Sequence, residues 1–186
     1  MKKLSVSPFL VFVLCLSFYF GYGKITALVL LAATLHEIFH LAFMDFMKVK
    51  IKKVSLGITG AVIESEPMTY PKEIICAAVG PIANLLCVFL WEAAPVFSAV
   101  NLVLFLYNIL PVYPLDGGRI LRACLLLKKE EYSVIKMIHY INIVVCAAVM
   151  FAAVCFAAHF RWGMLPVFLV AAVLCRTGLL AEREGY

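Results

Sequence analysis

The sequence predicts an all-α polytopic membrane protein of about six transmembrane helices, with a short membrane-associated β-hairpin and a proline-broken fourth helix. Hydrophobic residues make up 65% of the 186-residue chain and the mean hydropathy is +1.04, whereas soluble domains are about half apolar. The apolar residues also form runs of about 17 to 25 residues, the length that a helix needs to cross a bilayer. We therefore expect one membrane domain over residues 1–186 and no separate soluble domain.

Six apolar runs follow one another along the chain, at residues 6–23, 25–44, 73–92, 97–113, 134–158 and 163–180. The first run follows Lys2 and Lys3, as the apolar part of a signal peptide does, but residues 17–22 lack a small-x-small cleavage site. We therefore predict that this run is a retained helix. An even number of spans places both termini on the same side of the membrane.

The basic residues indicate which side that is. Of the 16 lysines and arginines, 14 fall at one end of the predicted spans, and only Lys24 and Arg161 fall at the other. Positively charged loops stay in the cytoplasm, so we predict a multi-pass protein of the cell membrane with both termini cytoplasmic. This bias and attraction to anionic lipid head groups explain the net charge of +5, so the lipid bilayer is an expected partner and nucleic acid is not.

Residues 49–64 interrupt the helical pattern between the second and third spans. They combine β-branched residues, partial alternation of apolar and polar side chains, and two glycines. This pattern favours a short hairpin or a pair of strands near the cytoplasmic face. A connecting loop with a basic, lipid-facing edge is equally compatible with it.

The second span contains three ionisable residues that an apolar helix normally excludes, His36, Glu37 and His40, in an H-E-x-x-H pattern. A helix returns to nearly the same face after four residues, so both imidazoles can bind one metal ion. Two imidazoles leave a divalent zinc short of ligands, and the adjacent carboxylate can take a proton from a water that the metal holds. The pattern therefore predicts metal-assisted hydrolysis, with a polar cluster between packed helices as the structural alternative.

A third protein ligand is expected because catalytic zinc sites use three. The sequence has two aspartates, Asp45 and Asp116, and Asp116 has the better context. It lies in residues 108–119, where two prolines remove helix donors and two glycines permit unusual backbone angles. We expect the helix to break there, and irregular backbone at membrane depth is tolerated only against protein or a watery cavity. An ordinary turn at the cytoplasmic end of the fourth span is the alternative.

Residues 77–84, in the third span, form another unusual segment. Small residues permit close helix approach, Pro81 loosens the local hydrogen bonding, and Asn84 places a donor and an acceptor in an apolar setting. The pattern leaves open whether the segment is a packing motif with an interhelical hydrogen bond or lies directly beside a substrate.

Together these segments resemble the site-2 protease family of intramembrane zinc metalloproteases. The family pattern of H-E-x-x-H, then G-P-x-x-N, then N-x-x-P-x-x-P-L-D-G-G is matched in the same order at residues 36–40, 80–84 and 108–118. The six-span plan is most similar to the bacterial sporulation branch, whose members cleave a membrane-associated sigma-factor precursor. We find neither the PDZ-like insertion of the envelope-stress branch nor the C-terminal CBS domain that is common in the sporulation branch.

The resemblance implies that His36, His40 and Asp116 bind zinc and that Glu37 activates the water. The implied reaction is hydrolysis of a peptide bond in or near a membrane-associated segment of a protein substrate, as in regulated intramembrane proteolysis. Inhibitory or regulatory membrane proteins are further expected partners.

Two asparagines, Asn84 and Asn108, are candidates to orient substrate or to stabilise the oxyanion, and support of the metal-binding aspartate is the alternative role. A rival function from another class is a zinc or proton transporter, because intramembrane His, Glu and Asp side chains also line ion pathways.

A helical substrate hides its peptide carbonyls in hydrogen bonds, so a protease of this kind must hold it extended. Residues 49–64 are candidates for that task, because a strand with an available edge can bind an extended peptide. This hypothesis predicts that proline at Val54, Leu56 or Ile58 lowers cleavage.

Overall fold

The computed structural model describes residues 3–6, 8–57 and 60–160. These residues form mostly helices and one small sheet, as the sequence predicts. They belong to two compact units, residues 1–108 and 109–186, which are described in turn. The single domain over the whole chain stays a prediction.

The first unit contains the elements β1 (Lys3–Val6), α1 (Pro8–Tyr19), α2 (Gly23–Phe46), β2 (Ile51–Gly57), β3 (Gly60–Ser65), α3 (Tyr70–Val88) and α4 (Pro95–Asn108). The second unit contains α5 (Asp116–Leu126) and α6 (Glu131–Phe160). The sequence analysis did not assign α5 as a helix, because its apolar pattern is shorter than a membrane span.

The sheet has the strand order β1-β2-β3. β2 and β3 pair antiparallel with Val54 opposite Ile63, so the predicted hairpin is confirmed. The register shifts between Ile51 and Lys53, where β2 carries an extra residue as in a β-bulge. β1, which the sequence analysis placed in no strand, pairs parallel with the other edge of β2. β2 is therefore hydrogen-bonded on both sides.

Three helices in the described residues are long and apolar enough to cross a membrane, namely Gly23–Phe46, Tyr70–Val88 and Glu131–His159. They coincide with three of the predicted spans. α6 exposes large apolar side chains along its length, including Val144 at 65% and Phe151 at 71%. Soluble proteins rarely expose apolar surfaces of this extent, whereas a lipid environment accommodates them. The chain is a membrane protein.

The count of six spans is not confirmed in the part of the chain that the structure describes. α1 has 12 residues and α4 has 14, so each is about 20 Å long, whereas the hydrocarbon core is about 30 Å thick. The predicted first span, 6–23, begins in strand β1 and contains helix α1, Pro8–Tyr19, and the first residue of α2. The predicted sixth span, 163–180, lies outside the described residues.

The inward face of α2 is a narrow stripe. Its buried residues recur at every fourth position, at Ala32, His36, His40 and Met44. α2 packs against α3 and α4. The two histidines lie in the middle of this stripe. Because residues four apart share one face of a helix, both imidazoles are on the buried side of α2, away from lipid.

α3 faces the rest of its unit with mostly small side chains, and its buried residues are Cys76, Ala77, Gly80, Pro81, Ala83 and Asn84. Small residues at a membrane helix interface allow two backbones to approach closely. A hydroxyl also joins α4 to the end of α3, because Ser98 Oγ donates a hydrogen bond of 3.1 Å to the Cys87 carbonyl.

The predicted break of the fourth helix is present. α4 ends at Asn108, residues 109–115 are irregular, and α5 begins at Asp116. Within the second unit, Tyr113 packs with Val134 and Ile138 of α6 in a buried apolar cluster. This cluster fixes the irregular segment against α6.

Candidate metal centre

The two histidines of the H-E-x-x-H motif converge on one point. Their Nε2 atoms are 3.1 Å apart, the rings cross at 80°, and each residue is only 6% exposed. Two nitrogen ligands that each lie about 2.0–2.1 Å from a tetrahedral zinc ion are about 3.3 Å apart. His36 and His40 therefore have the spacing of two ligands of one ion.

A backbone carbonyl of α3 orients one of these rings. His40 Nδ1 lies 2.7 Å from the Cys76 carbonyl oxygen, and because a carbonyl only accepts, Nδ1 is the donor. The neutral ring then keeps its lone pair on Nε2, the atom that faces His36. Metal-binding histidines almost always have such a partner on the other ring nitrogen, and it fixes the tautomer and the ring orientation.

Gly80 provides the space that the imidazoles occupy. A Cβ atom at this position would lie 2.2 Å from His40 Nε2 and 2.7 Å from His36 Cε1. Real Cβ contacts are essentially never shorter than 3.0 Å, so any other residue would have to displace a ring or the helix. From sequence alone, the small residues of α3 are expected to permit close helix packing. The structure shows that one of them, Gly80, also leaves room for the two imidazoles.

The other candidates of α2 differ in burial. Glu37 is half-buried and follows His36 directly, so its carboxylate is attached to the helical turn that carries both imidazoles. Asp45, the second aspartate of the sequence, is exposed in the last turn of α2. This exposure makes it the weaker ligand candidate.

In the second unit, Asp116 is the first residue of α5 and is 7% exposed. Leu115 before it is extended, with φ −62° and ψ 162°, and this backbone turns the chain into the helix. One turn later, Arg119 NH1 lies 4.0 Å from Asp116 Oδ1. The helix N-terminus and this guanidinium both interact favourably with the negative charge of a carboxylate.

The two asparagines are in different states. Asn84 is 1% exposed, and within the described residues neither its amide nitrogen nor its oxygen has a hydrogen-bond partner. Asn108 is half-buried and donates a hydrogen bond of 3.0 Å from Nδ2 to the Leu104 carbonyl of its own helix. A buried amide without partners costs about 1–3 kcal/mol, so Asn84 is the side chain that needs a ligand.

The three predicted metal ligands, His36, His40 and Asp116, are all buried and offer two imidazole nitrogens and one carboxylate oxygen. This donor set is compatible with zinc, which takes three such protein ligands in catalytic sites and leaves a further position for water. The spacing of the histidine nitrogens and the clearance at Gly80 fit the same ion.

Comparison with solved structures supports this interpretation of the fold. The chain is similar to the site-2 protease from Methanocaldococcus jannaschii, with a TM-score of 0.71 over 100% of this chain and 93% of that one, at 21% sequence identity. The likeness shows the fold. The described residues of this chain combine that mostly helical membrane fold with a buried His-His-Asp donor set.

Sequence comparisons point to one family of peptidases. The model of Peptidase family M50 matches residues 90–151, which include Asn108 and Asp116 but not His36 or His40. The chain is 31% identical to stage IV sporulation protein FB of Bacillus subtilis over 133 residues, 64% of this chain and 46% of that protein. It is 30% identical to zinc metalloprotease MJ0392 of M. jannaschii over 119 residues, 56% of this chain and 35% of that protein. The sequence and fold comparisons thus point to the same group of proteins, peptidase family M50 with the site-2 proteases, as what this chain is similar to.

The resemblance found in the motifs is therefore confirmed, and the sporulation relative supports the branch that the six-span plan suggested. The matched stretches span less than half of the length of either curated relative. The comparisons give no support to the transporter alternative.

Proposed function

We propose that the chain is an intramembrane zinc metalloprotease that hydrolyses a peptide bond in or near a membrane-associated segment of a protein substrate. The observation that carries this proposal is the pair of His36 and His40 Nε2 atoms, 3.1 Å apart in the buried stripe of an apolar helix. Buried imidazoles at metal-ligand spacing, with a carboxylate on the same turn, are the chemistry of metal-assisted hydrolysis.

We assign the ligands as His36, His40 and Asp116. The support for Asp116 is its burial, its place at a helix N-terminus after irregular backbone, and the exposure of the only other aspartate, Asp45. When bound, zinc would supply positive charge that polarises the peptide carbonyl and makes water more acidic. The three ligand side chains would hold the ion.

Glu37 is assigned as general base and then general acid. Its carboxylate takes one proton from the attacking water as the water oxygen adds to the peptide carbon. When the carbon–nitrogen bond breaks, Glu37 gives that proton to the leaving amine, so the residue ends as it began. The hydrogen bond from His40 Nδ1 to the Cys76 carbonyl fixes the orientation of the ring, with Nε2 as the metal-binding nitrogen.

Of the two asparagines, we assign Asn84 to contact substrate or a bound water. Its buried amide lacks partners in the described residues, whereas Asn108 already donates to the Leu104 carbonyl. An amide contributes both a donor for the developing oxyanion and an acceptor for a peptide N–H.

The sheet is assigned to substrate capture, with one correction to the sequence-based hypothesis. Since β2 is bonded to both β1 and β3, its edges are already used, and prolines at Val54 or Leu56 would disrupt the sheet itself. Within the described residues, no strand pairs with the outer edge of β3, Gly60–Ser65. Proline at alternate positions of β3 should lower cleavage without loss of zinc, because an added strand uses amides with period two. If proline is tolerated equally at every position of β3, the sheet does not take part in substrate capture.

We further propose a cell-membrane location with both termini cytoplasmic, and processing of a sigma-factor precursor under the control of regulatory membrane proteins. The pairing of β1 with β2 supports the topology, because a sheet that small stays on one side of the bilayer and so residues 3–6 and 51–57 share a side. Labelling single cysteines at Lys48 and at the C-terminus from outside intact cells tests it, and no labelling is expected at either site.

The decisive experiment compares the wild type with Glu37→Gln in proteoliposomes that contain a membrane-tethered test substrate. The amide has the shape of the carboxylate but cannot accept the proton, so we expect unchanged zinc content and turnover lower by about 10²–10⁴-fold, as for loss of a general acid–base group. Cleavage by the variant at the wild-type rate would contradict the assignment of Glu37. A wild-type protein that holds no zinc and cleaves nothing would contradict the proposed function.

A further inference from the structure

The irregular segment that precedes the proposed aspartate ligand satisfies its backbone in an unusual way. Two of its residues are prolines and donate nothing. Two amides are bonded inside the segment, because Val112 N donates to the Leu110 carbonyl at 2.7 Å and Leu115 N donates to the Val112 carbonyl at 2.8 Å. The peptide groups of Tyr113 are the ones that take a partner from another element.

That partner is the side chain of Asn142 on α6. Tyr113 N donates to Asn142 Oδ1 at 3.0 Å, and Asn142 Nδ2 donates to the Tyr113 carbonyl at 3.2 Å. One amide side chain thus replaces the two bonds that a neighbouring strand would give. Only Asn and Gln carry a donor and an acceptor in this arrangement. Because Tyr113 is only 8% exposed, water is a poor substitute for these bonds.

The Tyr113 backbone, which accepts and donates these hydrogen bonds, is in direct contact with the helical turn that carries Asp116. A Cβ atom at Gly118 would lie 2.3 Å from Tyr113 N, and one at Gly117 would lie 2.2 Å from the Ile109 carbonyl oxygen. The first turn of α5, which begins with Asp116, is therefore pressed directly against the segment that Asn142 holds. A shift of the Tyr113 peptide groups must be passed to that turn, since neither glycine has a side chain that can absorb it.

We propose that Asn142 is a positioning residue that fixes the Asp116 carboxylate for metal binding by clamping the backbone of Tyr113. The inference rests on the proposed function. Nothing in the proposed mechanism otherwise uses Asn142, a polar residue between Ile141 and Ile143 in a membrane-spanning helix, where such groups are expensive unless they serve a purpose.

The experiment uses the full chain in detergent with three variants. Asn142→Leu keeps the approximate size of the side chain and removes both hydrogen bonds. Asn142→Asp keeps the acceptor but places a carboxylate oxygen against the Tyr113 carbonyl. Asn142→Gln keeps the donor and the acceptor on a side chain that is one methylene longer. The matched control is Val134→Ala, which loosens the packing around the Tyr113 side chain and leaves its backbone bonds intact.

The readouts are zinc affinity by competition with a chelator, the visible spectrum of the Co²⁺-loaded protein, and the separate kcat and KM of cleavage. We expect Asn142→Leu and Asn142→Asp to weaken zinc binding by about 10–100-fold, the usual cost of losing support for a ligand. Their Co²⁺ spectra should shift at saturating metal and kcat should fall more than KM rises. Asn142→Gln should lie between these variants and the wild type, and Val134→Ala should keep the wild-type affinity and spectrum.

Wild-type zinc affinity and spectrum in Asn142→Asp would overturn the inference, as would an equal change in Val134→Ala. If Asn142→Leu does not fold, the order of Asn142→Gln above Asn142→Asp decides the matter in the same way. The wild-type protein separates the two hypotheses. Zinc binding and cleavage by the wild type with no effect at Asn142 would contradict only this inference, whereas no zinc binding by the wild type would contradict the proposed function as well.

Discussion

The two histidines and the aspartate are held by different kinds of backbone. His36 and His40 sit on consecutive turns of a regular helix, and a glycine and a carbonyl of α3 set their surroundings. Asp116 follows seven irregular residues, 109–115, whose shape depends on a side chain of α6. The first arrangement is built into the helix period, whereas the second depends on contacts between residues far apart in sequence.

This difference predicts different sensitivities. In the helical region His36 and His40 keep their relative positions as long as α2 stays helical, so a larger side chain on α3 is the change that would disturb them most. In the irregular region the backbone itself can move, so loss of a hydrogen bond or an added methyl group displaces the aspartate. Three substitutions compare the two regions, from the largest expected effect to the smallest.

The largest effect is expected at Gly80 in the helical region. Gly80→Ala should abolish zinc binding and cleavage, because the new methyl group would lie 2.2 Å from His40 Nε2. The helix itself should not suffer, since alanine is about 1 kcal/mol more favourable than glycine in a helix interior. Metal analysis of the purified variant measures the effect.

The control for this change is Gly23→Ala at the start of α2, where the added atom meets only the movable ring of Phe18, at 2.9 Å. It should keep zinc and activity. A Gly80→Ala protein with a full complement of zinc would show that α2 and α3 can adjust to accept the methyl group. The two regions would then not differ in sensitivity as proposed.

An intermediate effect is expected at Gly117 in the irregular region. Gly117→Ala brings a methyl group against the Ile109 carbonyl, and the backbone can yield only by moving the first turn of α5. We expect zinc affinity to fall by about 10–100-fold, as for loss of a ligand's support, while some metal still binds. Chelator competition measures it, with Cys124→Ala on the exposed side of α5 as the neutral control. A loss as complete as that of Gly80→Ala would mean that the irregular segment is as rigid as the helix pair.

The smallest effect is expected for Ser98→Ala. The change removes the hydrogen bond from the hydroxyl to the Cys87 carbonyl, and such bonds in membrane proteins contribute about 0.6 kcal/mol on average. Unfolding in mixed micelles should show a loss of that order, with unchanged zinc content and turnover. Reduced zinc content in this variant would indicate that α4 takes part in holding the metal site, which the comparison of the two regions does not include.

The sequence predicted the parts of this molecule that depend on local pattern. The H-E-x-x-H helix, the proline-broken fourth helix and the hairpin over 49–64 each follow from spacing or turn chemistry within a short window. The partners of these segments could not be predicted in the same way. The carbonyl of Cys76 acts through backbone that every residue shares, and Asn142 lies 29 residues from Tyr113 in sequence.

The errors have the same origin. Strand β1, Lys3–Val6, was not predicted and its last residue was placed in the first span, because its pairing with β2 is invisible to local periodicity. The edge assigned to substrate on β2 is taken by that same strand. Helix α5 was missed because a short amphipathic helix between two turns has no membrane-length signal.

The parallel pairing of β1 with β2 also bears on how the protein is made. Lys3 pairs with Lys53, so 50 residues, 53 − 3, separate the partners along the chain. At about 5–20 residues per second of synthesis, β1 waits for some seconds before its partner leaves the ribosome. In the proposed topology, α1 and α2 enter the translocation machinery in that interval and bring the chain back to its starting side. The sheet then closes only if this helix pair is inserted as proposed, and a chain inserted otherwise keeps an exposed strand edge of the kind that promotes aggregation.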